Sequence, residues 1–479
     1  MLNFFQKIKP AVLRADIILY LIIFIGIFLR ITFYLYNRPF WLDECALLLN
    51  LIYKNNYFYN LDWAQTTPAF FLYISKFIYN FFPNNEYALR FLPLVFSIGS
   101  IFLFVKLSKT YLKKPVTILI AVAIFSLMPT LIYYGQEFKQ YSGDVLFFIL
   151  LLLTYPYIEK INSKKEMFFW GIIYSLMFYV SYSAFFAEFS IFATLLILNP
   201  KQFKKIFLIL LPVIYSAVMF YICYSSLCYI DFLKIFWNSG FLSYDLGRDF
   251  LIFKHFFEYL FQNWFILIIF GFSLIISIKN DYKDKNMWLL LFTIICTLIL
   301  SYLKLYPLHS RVSLFLCPVI IIYTVKWIDY LNIKNKIIYS VIMGLFIIFA
   351  LYPIIRFDYD TIYKKEYLHE DIRTPLIKAT EMAKENDIFI ISYYNVWLYE
   401  YNKLTIPIKN PVIVEDFETP TEEYINQLES YPKGRTYFWI ESHHNYNERV
   451  DLVYEWAKDK EEFFCQKDNY NNTVIRYRL

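Results

Sequence analysis

The sequence predicts a polytopic α-helical membrane protein that carries a small soluble α/β domain at its C-terminal end. Three observations predict it. Of 479 residues, 59% are apolar and 22% aromatic, and only 18% carry charge; soluble domains run about 45–50% apolar and about 25% charged. Apolar runs of roughly 17–20 residues recur up to about residue 355, each long enough to cross about 30 Å of hydrocarbon as a helix. The charge then changes sign. Residues 356–479 hold 16 Lys+Arg against 23 Asp+Glu, a net −7, whereas residues 1–355 carry +13. This pattern excludes a wholly soluble enzyme and intrinsic disorder, and it speaks for two environments rather than nucleic-acid binding.

Eleven spans are expected, near 16–36, 88–105, 116–133, 141–157, 168–184, 185–199, 206–224, 261–278, 287–303, 312–328 and 337–355. The first run has no small-residue cleavage site and reads as a retained anchor. Lysines cluster in alternate loops: Lys106, Lys109, Lys113 and Lys114; Lys160, Lys164 and Lys165; Lys201, Lys204 and Lys205; then Lys279, Lys283, Lys285, Lys334 and Lys336. By the positive-inside rule these loops and the N-terminus are cytoplasmic, and an odd number of spans places the acidic tail outside a cell membrane. The expected domains are therefore residues 1–355 and residues 356–479.

Three outer stretches exceed simple turns. Residues 37–87 contain two short amphipathic runs, 44–54 and 69–81, expected as helices on the membrane surface. Residues 225–260 form an aromatic-rich loop. In the tail, 370–384 and 447–458 have helical spacing, while 387–392, 436–440 and 473–479 read as strands, enough for a small α/β core. Six cysteines are scattered without a C-x-x-C pair; most read as apolar filling, and Cys223 and Cys228 are close enough for an outer disulfide.

Charges at the edge of a bilayer are costly, so they locate function. Trp41-Leu42-Asp43-Glu44 follows the outer end of the first span. Two partly desolvated carboxylates there can deprotonate a hydroxyl or hold a divalent cation. Equally, Asp43 can cap the following helix while Glu44 complements its dipole. The second cluster is Gln136-Glu137-Phe138-Lys139-Gln140-Tyr141, where an acid, a cation and a phenol can bind a sugar hydroxyl or a phosphate, or form an interfacial salt bridge in an aromatic belt. The third runs through 304–311, with His309 and Arg311 on an outer loop where Arg calls for an anion; a lone His is more often structural. Arg30 and Arg90, near the outer ends of their spans, can pair with loop carboxylates or a phosphate. Asp144 and Glu188 read equally as buried, hydrogen-bonded groups, and His443-His444 as solvated surface. No Walker-type loop, H-E-x-x-H or G-x-S-x-G occurs, so nucleotide-driven pumping and serine hydrolysis have no support.

Taken in order, these residues resemble the integral-membrane glycosyltransferases of the GT-C fold, in particular the bacterial family 39-like enzymes related to protein O-mannosyltransferases and lipid A aminoarabinose transferases. The likeness runs through Phe28-Leu29-Arg30, Pro39-Phe40-Trp41-Leu42-Asp43-Glu44, Thr67-Pro68-Ala69-Phe70-Phe71, Glu86-Tyr87-Ala88-Leu89-Arg90-Phe91-Leu92-Pro93, the 136–141 loop, Ser310-Arg311 through Pro318, and 368–401. It departs at Lys139, where the family usually has Arg, and at Thr66-Thr67, where His and Pro are common. The resemblance implies inverting transfer of a sugar from a polyprenyl-phosphate donor to a lipid, glycan or protein acceptor on the outer face of the bilayer. Asp43 would be the general base. Lys139, Arg311, Arg30 and Arg90 would be the phosphate's cations, and Glu44 and Glu137 would orient Asp43, a sugar hydroxyl or a divalent metal. The alternatives are a flippase for a lipid-linked glycan, disfavoured by few glycines, the lack of an inverted repeat and one-sided charge clusters, and a polysaccharide polymerase or ligase.

Overall fold

The computed structural model describes residues 10–58, 61–63, 65–198, 207, 211, 214–215, 218–219, 221–222, 234–309, 311–362, 371–415, 423–442, 447–468 and 472–479. It divides into two compact units. One comprises Met1–Tyr36, Asn56–Ile78 and Tyr87–Lys364; the other comprises Asn37–Asn55, Tyr79–Glu86 and Lys365–Leu479.

The first unit is a helical bundle. A helix lies at each of the ten expected spans that fall within the described residues; span 206–224 and the Cys223–Cys228 pair lie largely or wholly outside them. Among the described residues five helices are long and apolar enough to cross a bilayer, or up to seven if each of two bent pairs counts as one span. The first bend, 50° between Pro115–Leu127 and Pro129–Gln136, falls at Pro129, which cannot continue the hydrogen-bond ladder. The second, 101°, joins Leu246–Phe261 to Ile266–Asp281. Here the structure corrects the expectation of a loop over 225–260, because Leu246–Phe261 is a helix. The Asp245 carboxylate caps it by accepting from Gly247 N at 2.9 Å and Arg248 N at 3.3 Å. Gln262, with φ 55°, ends it.

Small residues set the closest approach of the helices. An added Cβ at Gly26 would lie 2.7 Å from Ser126 Cβ, and one at Gly135 would lie 2.5 Å from Ser97 Oγ. Around these contacts Phe104 stacks on Phe125 at 4.2 Å and Phe186 on Phe315 at 4.5 Å. At the lysine-rich end, the Asp329 carboxylate accepts from Lys113 N, Lys114 N and Thr117 Oγ1 at 2.8, 3.0 and 2.8 Å, capping the helix that starts at Pro115. Buried Lys326 donates to Asp281 at 2.9 Å.

The second unit is built on a five-stranded sheet. Its strands are β1 (Ile388–Ile391), β2 (Val412–Val414), β3 (Thr436–Glu441), β4 (Phe464–Lys467) and β5 (Thr473–Arg478), in the order β2-β1-β3-β5-β4. β2, β1 and β3 are parallel, and β5 runs antiparallel to both β3 and β4. Ile390, Tyr437, Trp439, Ile475 and Tyr477 form its core with Val450 and Val453 of helix Asn447–Ala457. Helix Arg373–Met382 packs on β3 and β5. Helix Leu42–Tyr53 belongs to this unit too. Its residues 44–51 are all buried, and it packs against helix Val396–Asn402, so it is a core helix and not one lying on a lipid surface. Ala69–Phe81 does keep an apolar exposed side, with Phe70, Ile74 and Phe77 outward. Helix Lys336–Ile362 runs past residue 356 before the second unit resumes at Lys365.

Two measurements test this packing. Gly26→Ala should destabilise the bundle by about 1–3 kcal/mol through overpacking, lowering the melting temperature of detergent-purified protein; Gly271→Ala, with nothing within 4 Å of the added carbon, should not. In the second unit, burial pushes the Glu415 carboxyl up to about 7 against an opposing hydrogen bond from Tyr424. The folded chain therefore holds this proton more tightly than the unfolded one, so the stabilisation is full below the ordinary value of 4.5 and is lost as pH rises through 7. Glu415→Gln should match the parent's melting temperature at acid pH and exceed it above pH 7.

Candidate functional site

The first candidate cluster sits where the chain turns into helix Leu42–Tyr53. Phe40 is buried with its ring 5.6 Å from that of Tyr401, and Trp41, in extended conformation, is the N-cap. The Glu44 carboxylate, in the first turn, accepts from Trp41 N at 3.4 Å and lies 3.9 Å from the Arg38 guanidinium, both side chains being buried. The capping work offered to Asp43 thus falls to Glu44. Asp43 remains half-buried in the first turn, where the helix dipole favours a carboxylate.

The second cluster is a buried loop rather than an interfacial one. Glu137 is fully buried and Lys139 is 4% exposed. The break at Pro129 gives this loop its start, and close contact of Gly135 with Ser97 seats it. Lys139 N donates to Glu137 O at 2.6 Å, and Lys139 Nζ donates to Gln65 Oε1. Next along the chain, Gln140 Nε2 donates to Thr66 O at 3.3 Å and Gln140 Oε1 accepts from Thr67 Oγ1 at 3.2 Å. Tyr182 Oη donates to Thr67 O at 3.1 Å. Behind Tyr141, the Asp144 carboxylate accepts from Ser181 Oγ at 2.5 Å, and Ser183 Oγ donates to Asp144 O at 2.8 Å. Gln65 thus gives the buried Lys139 ammonium an acceptor, and the bonds of Gln140 and Tyr182 to residues 66 and 67 hold the neighbouring segments together. Gln65, Thr67 and Tyr182 carry no charge, so a search for costly charges passes them over.

Arg311 and His309 share one aromatic partner. The Arg311 guanidinium lies 5.2 Å above the Trp237 ring, and the His309 ring is 4.8 Å from it. Gly240 admits this approach, since an added Cβ would lie 3.2 Å from His309 Cβ. Burial, and then the Arg311 charge, pull His309 down to about 4, so it is neutral at pH 7 and brings no charge to an anion. The Tyr134 hydroxyl, 2.7 Å from that of Tyr259, lies within electrostatic reach of both Glu137 and Arg311. The fold thus gathers Glu137, Lys139, Tyr141 and Arg311 about one loop, with His309 at its side.

Arg30 and Arg90 are placed differently. Arg30 is 1% exposed and donates to Ser97 Oγ at 2.8 Å, Gly26 O at 3.0 Å and Ser126 O at 2.6 Å. It buttresses the helices beneath the loop instead of presenting a cation to a ligand. Arg90 is buried beside Tyr34, whose ring meets that of Tyr87 at 5.3 Å. Among the described residues no three His, Cys, Asp or Glu side chains gather in a way that could hold a metal ion.

No protein-family model matches the chain, and no curated protein matches it. Solved structures do. The crystal structure of ArnT from Cupriavidus metallidurans bound to undecaprenyl phosphate aligns over 95% of this chain and 97% of that one, with a TM-score of 0.53 at 8% identity. The apo structure of the same protein aligns over 91% and 92%, with a TM-score of 0.51 at 9% identity. The fold is therefore the GT-C type expected from the sequence, a membrane helical bundle joined to a C-terminal α/β unit, and ArnT is what this chain is similar to in fold.

Proposed function

We propose that this protein is a membrane glycosyltransferase that takes a sugar from a polyprenyl-phosphate donor and passes it, with inversion, to an acceptor on the outer face of the cell membrane. The observation that carries the reading is the end-to-end likeness in fold to ArnT, one of whose structures holds undecaprenyl phosphate. The ordered sequence resemblance at Asp43, Arg90, 136–141 and Arg311 supports it independently.

In this reading the Asp43 carboxylate takes the proton from the acceptor hydroxyl as that oxygen attacks the anomeric carbon. The bond from the anomeric carbon to phosphate breaks, and polyprenyl phosphate leaves with the electron pair. A positioned base contributes on the order of 10²–10⁴-fold. Lys139 and Arg311 stabilise the charge that develops on the leaving phosphate, in a water-poor setting where such charges count most. His309, neutral at working pH, serves as a hydrogen-bond partner only. Glu137 and Tyr141 orient sugar hydroxyls. Glu44 holds the backbone turn that presents Asp43, and Arg30 holds the helices that present the loop. The lysine-rich loops face the cytoplasm and the acidic α/β unit lies outside. The polymerase or ligase reading differs in its donor, and a product gaining one sugar residue excludes it.

Two variants test the roles. Asp43→Asn should abolish transfer to endogenous membrane acceptors, read by mass spectrometry of glycoconjugates, with expression and melting temperature unchanged; full activity refutes the base. Lys139→Arg should retain transfer, whereas Lys139→Gln should lose about 10²–10³-fold, the range for removing one group that stabilises developing charge. Equal activity of the two variants would remove Lys139 from the phosphate site.

A further inference from the structure

The end of the bundle away from the 136–141 loop holds a cavity. Helix Glu86–Tyr111 carries Arg90 near one end and Lys106 sixteen residues further, about 24 Å along its axis. The span Tyr141–Lys160 likewise runs from Tyr141 to Lys160. Between Lys106 and Lys160 lies a cavity of about 330 Å³, lined also by Thr110, Tyr111, Tyr157 and Asn286. Its depth comes from an interruption of the helix between Leu152 and Tyr155, ahead of Pro156. A neighbouring ion pair, Lys285 with Glu159 at 2.5 Å, braces one wall and neutralises the third lysine of the region.

Lys106 and Lys160 are left with no acidic partner among the described residues. Both side chains are exposed and line the one hollow, so an anion seated there would be attracted by two positive charges at once. The surroundings say what kind of anion. One helical turn from Lys106, on the same face, Phe102 is 53% exposed, and Tyr157, three residues before Lys160, is 63% exposed. The charged mouth therefore continues onto apolar surface at the depth of the membrane, a pattern for an amphipathic ligand rather than a water-soluble one. Thr110, Tyr157 and Asn286 supply hydroxyl and amide donors for phosphate oxygens and a polar headgroup.

We propose that this cavity is a binding site for the phosphate of an anionic phospholipid, with Lys106 and Lys160 as its cations and the Phe102–Tyr157 surface as the bed for its acyl chain. It is independent of the transfer reaction. Native mass spectrometry of the full-length protein in detergent tests it, with phosphatidylglycerol, phosphatidylcholine and inorganic phosphate as probes. One phosphatidylglycerol should bind in preference to phosphatidylcholine, and Lys106→Gln with Lys160→Gln should weaken it by about 30-fold, the worth of two lysines near an anionic headgroup. The charge-matched control Lys164→Gln with Lys165→Gln, at exposed positions outside the cavity lining, should leave it unchanged. Equal binding of the two lipids, equal loss in the control, or displacement of phosphatidylglycerol by equimolar inorganic phosphate would each overturn the assignment.

Discussion

A charge taken out of water must find partners inside the protein, and in a chain this apolar that demand organises the helical unit. Lys139 is held by Gln65, Arg30 by Ser97 and two backbone carbonyls, and Asp144 by Ser181. All of these bonds but the one from Arg30 to Gly26 O, which stays within a single helix, cross between segments far apart in sequence. The polar web therefore positions the helices that supply it, while the surrounding aromatic packing provides most of the burial. Removing one member leaves a buried charge uncompensated, which costs more than the bond itself was worth.

The same demand separates residues that look alike in the sequence. Arg30 and Arg311 both sit near the end of an apolar run. Arg30 spends its donors on carbonyls exposed where Gly26 meets Ser126 and on Ser97, whereas Arg311 lies over the face of Trp237 within reach of Tyr134. Asp43 and Glu44 are adjacent, yet Glu44 reaches back to Trp41 N and Arg38, while Asp43 keeps part of its surface. Neighbouring positions on a helix face different ways, and only the three-dimensional turn decides which carboxylate caps the helix.

Hydropathy made the spans legible, because a helix crossing lipid must satisfy its own backbone and cover it with apolar side chains over a fixed length. Breaks were harder to read. The expected span 116–133 ran straight through the bend at Pro129, and nothing in the apolar run before Ile266 announced that Leu246–Phe261 would be a separate helix closed by Gln262. In the α/β unit the hydrophobic strands β1, β3 and β5 were visible. β2, three residues long after Pro411, and β4, with Gln466 and Lys467 exposed at the sheet edge, lacked the alternating pattern. Of the candidate site, the charged members were legible, and the neutral supports Gln65 and Tyr182 were not, since an amide or hydroxyl costs little enough to appear anywhere in a loop.

The reading of this protein as an enzyme of the outer face turns on which side of the bilayer Asp43 occupies. Replacing it by cysteine and treating intact cells with a membrane-impermeant maleimide measures that directly, with a cysteine at exposed Lys164 as the opposite marker. The account predicts that position 43 is labelled before the cells are opened and position 164 only afterwards. Labelling at position 43 that appears only in permeabilised cells would contradict it.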